Sequence, residues 1–162
     1  MPTVFGKAGE VLKKAVEQYR PDAVVCVGQA GGRAAITPEM IAVNIMDARI
    51  PDNAGNKPCH ELIIKEGREA YFSSLPVKDI EKNLNDNGIP SSVSYHAGTF
   101  VCNYLMYCLM NLIDTKYPNM RGGFVHVPYS TEQVKNRETP MPSMELNEIT
   151  RGLEIIAETL AK

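Results

Sequence analysis

Apolar side chains recur at helical spacing between Lys7 and Tyr19, where Ala8, Val11, Leu12, Ala15, Val16 and Tyr19 share one face. This spacing predicts an amphipathic helix, ended by Pro21-Asp22. The pattern then becomes a short continuous apolar run, Ala23–Val27, which reads as a buried strand, and Gly28-Gln-Ala-Gly-Gly-Arg33 interrupts regular structure. Met40–Met46, rich in β-branched residues, predicts a second strand, followed by a loop over Pro51–Pro58 and a strand or arm near Leu62–Lys65. Val77, Ile80 and Leu84 return to helical spacing over Val77–Asn87, with Gly88 where a C-terminal cap belongs. Ser92–Tyr95 predicts a strand, Ala97-Gly98-Thr99 turns it into a helix over Phe100–Leu112, and Gly123–Val127 is a further apolar strand. The last helix is expected to start at Ser143, an N-cap behind Pro142, and to place Leu146, Ile149, Leu153, Ile156, Ala157 and Leu160 on one face.

Buried-type strands alternating with helices imply an α/β sandwich with a largely parallel sheet. Ligands of such sheets bind beyond the carboxyl ends of the strands. Three places qualify: the loop after Val27, the turn after Tyr95 and the strand end at Val125–Tyr129. With 162 residues and no repeats or internal linkers, a single domain is expected, able to bury a core without disulfides or metals. Lys plus Arg number 17 and Asp plus Glu 19, a net charge of −2, which gives no electrostatic reason to expect nucleic acid or an anionic membrane as partner. No apolar run has the length of a membrane span and the N-terminal pattern is not that of a signal peptide, so a cytoplasmic location is expected.

The four cysteines, Cys26, Cys59, Cys102 and Cys108, lack zinc-motif spacing and read as free thiols, with no metal or cofactor implied. Cys26 reads as a core residue and Cys59 as part of a polar loop, while Cys108 is turned away from Cys102 on the helix. Cys102 falls in the first turn of the helix after Ala97-Gly98-Thr99, where unpaired N–H groups and the helix dipole favour a thiolate. It suits a nucleophile, or packs between helix and sheet. A cysteine nucleophile needs a base, and both His96 and His126 are candidates by spacing, with His60 beside Cys59 in a loop. Glu39, at a strand margin, is a candidate to orient the imidazole, or a surface or capping carboxylate.

Six blocks carry a resemblance: Val27-Gly-Gln-Ala-Gly-Gly-Arg33, Ile36-Thr-Pro-Glu-Met-Ile-Ala-Val-Asn-Ile45, Asp47-Ala-Arg-Ile-Pro-Asp-Asn53, Tyr71-Phe-Ser-Ser-Leu-Pro76, Ala97-Gly-Thr-Phe-Val-Cys-Asn103 and Gly123-Phe-Val-His-Val-Pro-Tyr129. In order and separation they resemble the pyroglutamyl-peptidase I family, also called pyrrolidone-carboxylate peptidases. The resemblance implies a three-layer αβα sandwich with a largely parallel mixed sheet, phosphorylase/hydrolase-like, and a cysteine peptidase that removes N-terminal pyroglutamate through a thioester. It places the nucleophile on Cys102, the general base on His126 and the orienting acid on Glu39, and so chooses His126 over His96. Arg49 becomes an auxiliary or oxyanion-stabilising cation, with a structural ion pair as the alternative. Gln29, Phe100 and Val101 match positions around the substrate pocket, with a loop amide and two core residues as the alternative. The implied partners are peptides carrying N-terminal pyroglutamate and further copies of the chain in a homodimer or homotetramer.

The family's first strand, its Gly-Phe-x-Pro-Phe-Gly loop and the following helix have no counterpart before Thr3. The resemblance therefore predicts an unpaired sheet edge and a pocket lacking one wall. A weakly active or inactive chain acting as a binding or assembly subunit is the competing reading. A third is a nucleoside phosphorylase-like enzyme with Gly28–Arg33 around phosphate.

Overall fold

Ala8, Leu12 and Val16 form the buried stripe of helix α1 (Lys7–Tyr19), whose ends fall where the apolar spacing places them. A computed structural model describes residues 1–161. After α1 the chain forms β1 (Ala23–Gln29), β2 (Thr37–Pro38), β3 (Ile41–Val43), β4 (Ala70–Phe72), α2 (Val77–Asp86) and α3 (Val101–Lys116). It continues through β5 (Arg121–Val127), β6 (Tyr129–Ser130), α4 (Thr131–Val134), β7 (Ser143–Met144) and α5 (Leu146–Leu160).

The principal sheet has the order β1-β5-β2, with β1 parallel and β2 antiparallel to the central β5. Two further strand pairs, antiparallel β3-β4 and parallel β6-β7, complete a mixed set. Side chains alternate across β5, so Phe124 packs with α1 and α3 while Val125 and Val127 pack with α2 and α5. These two apolar clusters make the three layers, helix on sheet on helix, expected of an αβα sandwich.

Several elements differ from the sequence pattern for identifiable reasons. β1 runs on through Gly28 and Gln29 because they pair with His126 and Val127 of β5. It is less buried than its composition suggests: among the named strands its one neighbour is β5, and Val27 is 47% exposed. The Met40–Met46 strand is shorter, Ile41–Val43, with Met46 in an isolated bridge to Glu61. Leu62–Lys65 forms no strand: the chain bends at Ile63 and Ile64 into a turn at Lys65, and both isoleucines still pack against the core. Ser92–Tyr95 is reduced to single parallel bridges, Ile36 to Ser91 and Glu39 to Ser94. Ser143 does not cap the last helix: it pairs with Tyr129 in the β6-β7 ladder, and Glu145 and Glu148 form the capping box of α5 instead. The buried face of α5 is Ile149, Gly152, Ile155 and Ile156, leaving Leu146 and Ala157 exposed. At the end of α2, Gly88 takes the left-handed conformation (φ +76°) expected of a helix-terminating glycine.

Candidate active site

The period of two along the strands gathers the site on one face of the sheet. His126 lies two residues after Phe124 and so projects toward the α3 side, its ring 4.8 Å from that of Phe124. Across β5 the antiparallel register sets Thr37 opposite His126, and Glu39 N–H donates to Phe124 O at 2.8 Å, which brings Glu39 onto the same face. On the other flank Gly28 pairs with His126. A Cβ on Gly28 would stand 2.7 Å from Phe124 Cζ and 3.2 Å from Cys102 Sγ, so a residue without a side chain is what lets the thiol approach the sheet beside His126.

Cys102 is the second residue of α3, half-buried beneath the helix start. Phe100 is the N-cap and supplies no side-chain hydrogen bond, so the first backbone N–H groups are left for another acceptor. Asn103 fixes this helix start: its Oδ1 accepts from Val43 N–H at 2.9 Å, and its Nδ2 donates to Val43 O at 2.9 Å and Ile45 O at 3.1 Å.

Glu39 is fully buried and holds two donors on one oxygen. His126 Nδ1 lies 2.6 Å from Oε1, and Arg33 Nη1 donates to the same atom at 2.6 Å. Arg33 also donates to Thr37 Oγ1. Oε2 has no hydrogen-bond partner, since the neighbouring Ser94 hydroxyl is directed to His96 O at 3.2 Å. Burial alone would raise the Glu39 pKa, yet the hydrogen bonds of His126 and Arg33 and the guanidinium charge hold it below the ordinary carboxylate value. An ionised Glu39 keeps the His126 proton on Nδ1 and leaves Nε2 with its lone pair, the form of a general base.

The thiol behaves differently from what a helix N-terminus alone predicts. Burial pushes Cys102 up to about 11, the Glu39 charge adds to the rise, and Arg33 opposes it. Before substrate arrives the cysteine is therefore a neutral thiol, and a nucleophile forms only as its proton leaves. Burial likewise pushes Cys26 up to about 12 and raises Cys108, which packs against Tyr104 and Gly9.

The chain and the fold that bring this half-buried thiol, imidazole and carboxylate together have counterparts among known proteins. The family model described as pyroglutamyl peptidase matches residues 1–162. The chain belongs to the pyroglutamyl peptidase family. Pyrrolidone-carboxylate peptidase of Enterococcus faecalis is 49% identical over 162 residues, covering 100% of this chain and 76% of its own length. That of Bacillus licheniformis is 55% identical over 157 residues, covering 97% and 72%. Among solved structures, pyroglutamyl peptidase I from Bacillus amyloliquefaciens superposes with a TM-score of 0.95 at 50% identity, over 98% of this chain and 75% of that one. Pyrrolidone carboxyl peptidase from Thermococcus litoralis gives 0.95 at 39%, over 98% and 74%. The pyroglutamyl peptidase fold expected from the sequence is thus the fold observed.

Other positions singled out in the sequence fall around this centre to different degrees. Phe100 is half-buried at the front of α3, edge-on to Phe5 with ring centroids 5.4 Å apart. Val101 is buried in the core beneath α3. Gln29 is exposed at the end of β1, where its Nε2 donates to Gln133 Oε1 at 2.7 Å. Arg49 is exposed and makes no ion pair among the described residues; the cation joined to Glu39 is Arg33. His96 turns its Nδ1 to its own loop, accepting from Gly98 N–H at 3.0 Å. Arg33, Thr37, Ser94 and Asn103 were not distinguished by sequence reasoning. Arg33 falls within Val27–Arg33, but nothing local to it signals the carboxylate six residues on that its guanidinium meets.

Proposed function

We propose that this chain, as a single domain over residues 1–162, is a cysteine peptidase that releases N-terminal pyroglutamate, with Cys102 as nucleophile, His126 as general base and Glu39 as its orienting acid. The observation that carries this reading is the buried Glu39–His126 contact of 2.6 Å with the Cys102 thiol seated on the same sheet face. His126 Nε2 takes the Sγ proton as sulfur attacks the pyroglutamyl carbonyl. The oxyanion is received by the N–H groups opening α3, whose cap residue leaves them free of side-chain partners. The imidazolium, held by Glu39, then protonates the leaving amine. The thioester is hydrolysed by water that His126 deprotonates in turn. Every proton in this sequence moves through side chains of the chain itself.

Gln29, Phe100 and Val101 are proposed to border the lactam, with Arg49 as an auxiliary cation. An uncharged lactam asks for ring contacts together with hydrogen bonds to its N–H and C=O, and a site built for those bonds rejects analogues that lack them. The half-buried Phe100 ring beside the α3 start fits the first demand. Among the described residues no helix is long and apolar enough to cross a membrane. A homodimeric or homotetrameric cytoplasmic enzyme is the assembly proposed, measurable by sedimentation.

Hydrolysis of a pyroglutamyl-arylamide tests the reading. Turnover is expected from the chain, lost to background in Cys102→Ala and after alkylation by iodoacetamide. Turnover that survives Cys102→Ala rejects the mechanism.

A further inference from the structure

A second group of donor side chains lies outside this centre, in the segment between β3 and β4. Met46 and Glu61 form an antiparallel pair, with Met46 N–H donating to Glu61 O at 2.7 Å and Glu61 N–H to Met46 O at 3.0 Å. Two positions on, Ala48 N–H donates to Pro58 O at 2.9 Å. Between these two ties one residue, Asp47, faces two, Cys59 and His60, the two-against-one count of a β-bulge. The extra residue is accommodated by His60 in the left-handed region (φ +53°). Asp47 is held from its other side as well: its N–H donates to Thr99 O at 3.1 Å, and Thr99 Oγ1 donates to Asp47 O at 2.7 Å.

The result is that a carboxylate oxygen of Asp47, Sγ of Cys59 and a ring nitrogen of His60 lie within 4.8 Å of one another. His60 Nδ1 and Asp47 Oδ2 are 3.5 Å apart, close to the edge of about 3.3–3.6 Å expected between ligands of a tetrahedral zinc ion with bonds of about 2.0–2.3 Å. We propose that Asp47, Cys59 and His60 form a zinc-class metal site with one coordination position open to solvent. Thiolate and imidazole donors select a borderline-soft ion over magnesium or calcium. One carboxylate and one thiolate balance a divalent charge, with Cys59 releasing its proton to solvent on binding. Cys59 is exposed, while Cys26 is buried and Cys102 and Cys108 are half-buried. The three backbone ties mean that little ordering remains to be done when the ion binds.

The test uses the full chain in a Cys102→Ala background, which removes the thiol of the candidate active site, with Co(II) and Zn(II) as probes. One Co(II) per chain is expected, with a thiolate-to-cobalt charge-transfer band and the ligand-field bands of a tetrahedral ion. Adding Cys59→Ser is expected to abolish the charge-transfer band, and both Cys59→Ser and His60→Ala to weaken Zn(II) binding by about tenfold or more. Both side chains are exposed, so circular dichroism is expected to show an unchanged fold. No tetrahedral cobalt spectrum, or a spectrum and zinc affinity indifferent to Cys59→Ser and His60→Ala, overturns the site.

Discussion

Glu39 places both of its charged hydrogen bonds on one oxygen, and that economy defines Arg33 as a positioning residue. Arg33 hydrogen-bonds Glu39 and Thr37; it neutralises a fully buried carboxylate so that the carboxylate stays ionised against His126. Replacing it by Met removes a hydrogen bond and a charge that both hold the Glu39 pKa down, so that pKa must rise. Protonated Glu39 no longer stabilises the imidazolium. The acidic limb of the kcat/KM profile is therefore expected to move to higher pH in Arg33→Met, with a smaller displacement in Arg33→Lys, while KM for the arylamide changes little. An unchanged acidic limb would separate Arg33 from the titration of this pair. The position of Cys102 in the first turn of a helix was legible from the glycine turn before it, because that signal is local. Spacing alone leaves His96 and His126 open and only the family resemblance favours His126, since the Glu39 partner of His126 lies 87 positions away in sequence and is brought close by the β2-β5 register. The neutral state of the thiol was also hidden, because burial is a property of the packed sheet and not of the helix end.

Among the elements, long amphipathic segments were read well and short strands poorly, for one physical reason. Helix α1 carries its own periodicity over 13 residues, whereas β2, β6 and β7 are two residues each and exist only through their partners. α5 illustrates the boundary case: Ser143 has the right chemistry for a cap, but its backbone is taken by Tyr129, and the helix begins three residues later. The element that sets the site is α3, and what ties its front to the sheet edge is one amide. Asn103 satisfies the N–H and C=O of Val43 and the C=O of Ile45 from a fully buried position. Asn103→Leu keeps the branched shape and strands Val43 N–H and Ile45 O, while Val43 O retains Ile45 N–H at 2.9 Å, at a cost of about 1–3 kcal/mol for each group left unsatisfied. The expected outcome is a urea midpoint lowered by at least the equivalent of one such group at unchanged slope. Because Cys102 is the adjacent residue, kcat is expected to fall further than the remaining folded fraction explains. A midpoint equal to that of the parent would mean the strand finds other donors and that the amide is dispensable.

At the scale of the whole molecule, the two apolar clusters are separate blocks on opposite faces of a narrow sheet, and polar ties join outlying chain to them. Asp52 makes the most extensive of these. Its Oδ2 accepts from Phe5 N–H and Asn56 Nδ2, each at 2.9 Å, and its Oδ1 accepts from the N–H groups of Ala54 at 2.8 Å and Asn56 at 2.9 Å. Phe5, so anchored, packs edge-on against Phe100 and Tyr104 at the front of α3. One carboxylate thus links the first residues of the chain, the 52–56 loop and the helix that bears Cys102. Desolvation would raise its pKa, but the Asn56 side chain and the backbone donors of Phe5, Asn56 and Ala54 hold it down at about 2. The unfolded chain has an ordinary aspartate near 3.9. A group whose folded pKa is depressed contributes stability in full above the unfolded value and loses it as pH falls through the folded value. The contribution of Asp52 is therefore complete above about pH 4 and disappears as pH falls toward about 2. Glu39 and Glu81 are also held below their ordinary values, so the acid sensitivity of the parent protein alone does not isolate Asp52. The comparison with Asp52→Asn does. The variant is expected to melt below the parent at pH 6, and the difference in Tm is expected to narrow steadily from about pH 4 to about pH 2 as the parent loses the charge that the variant never had. A Tm difference that stays constant across that interval would show that the hydrogen bonds, and not the ionised carboxylate, fasten the amino-terminal residues to α3.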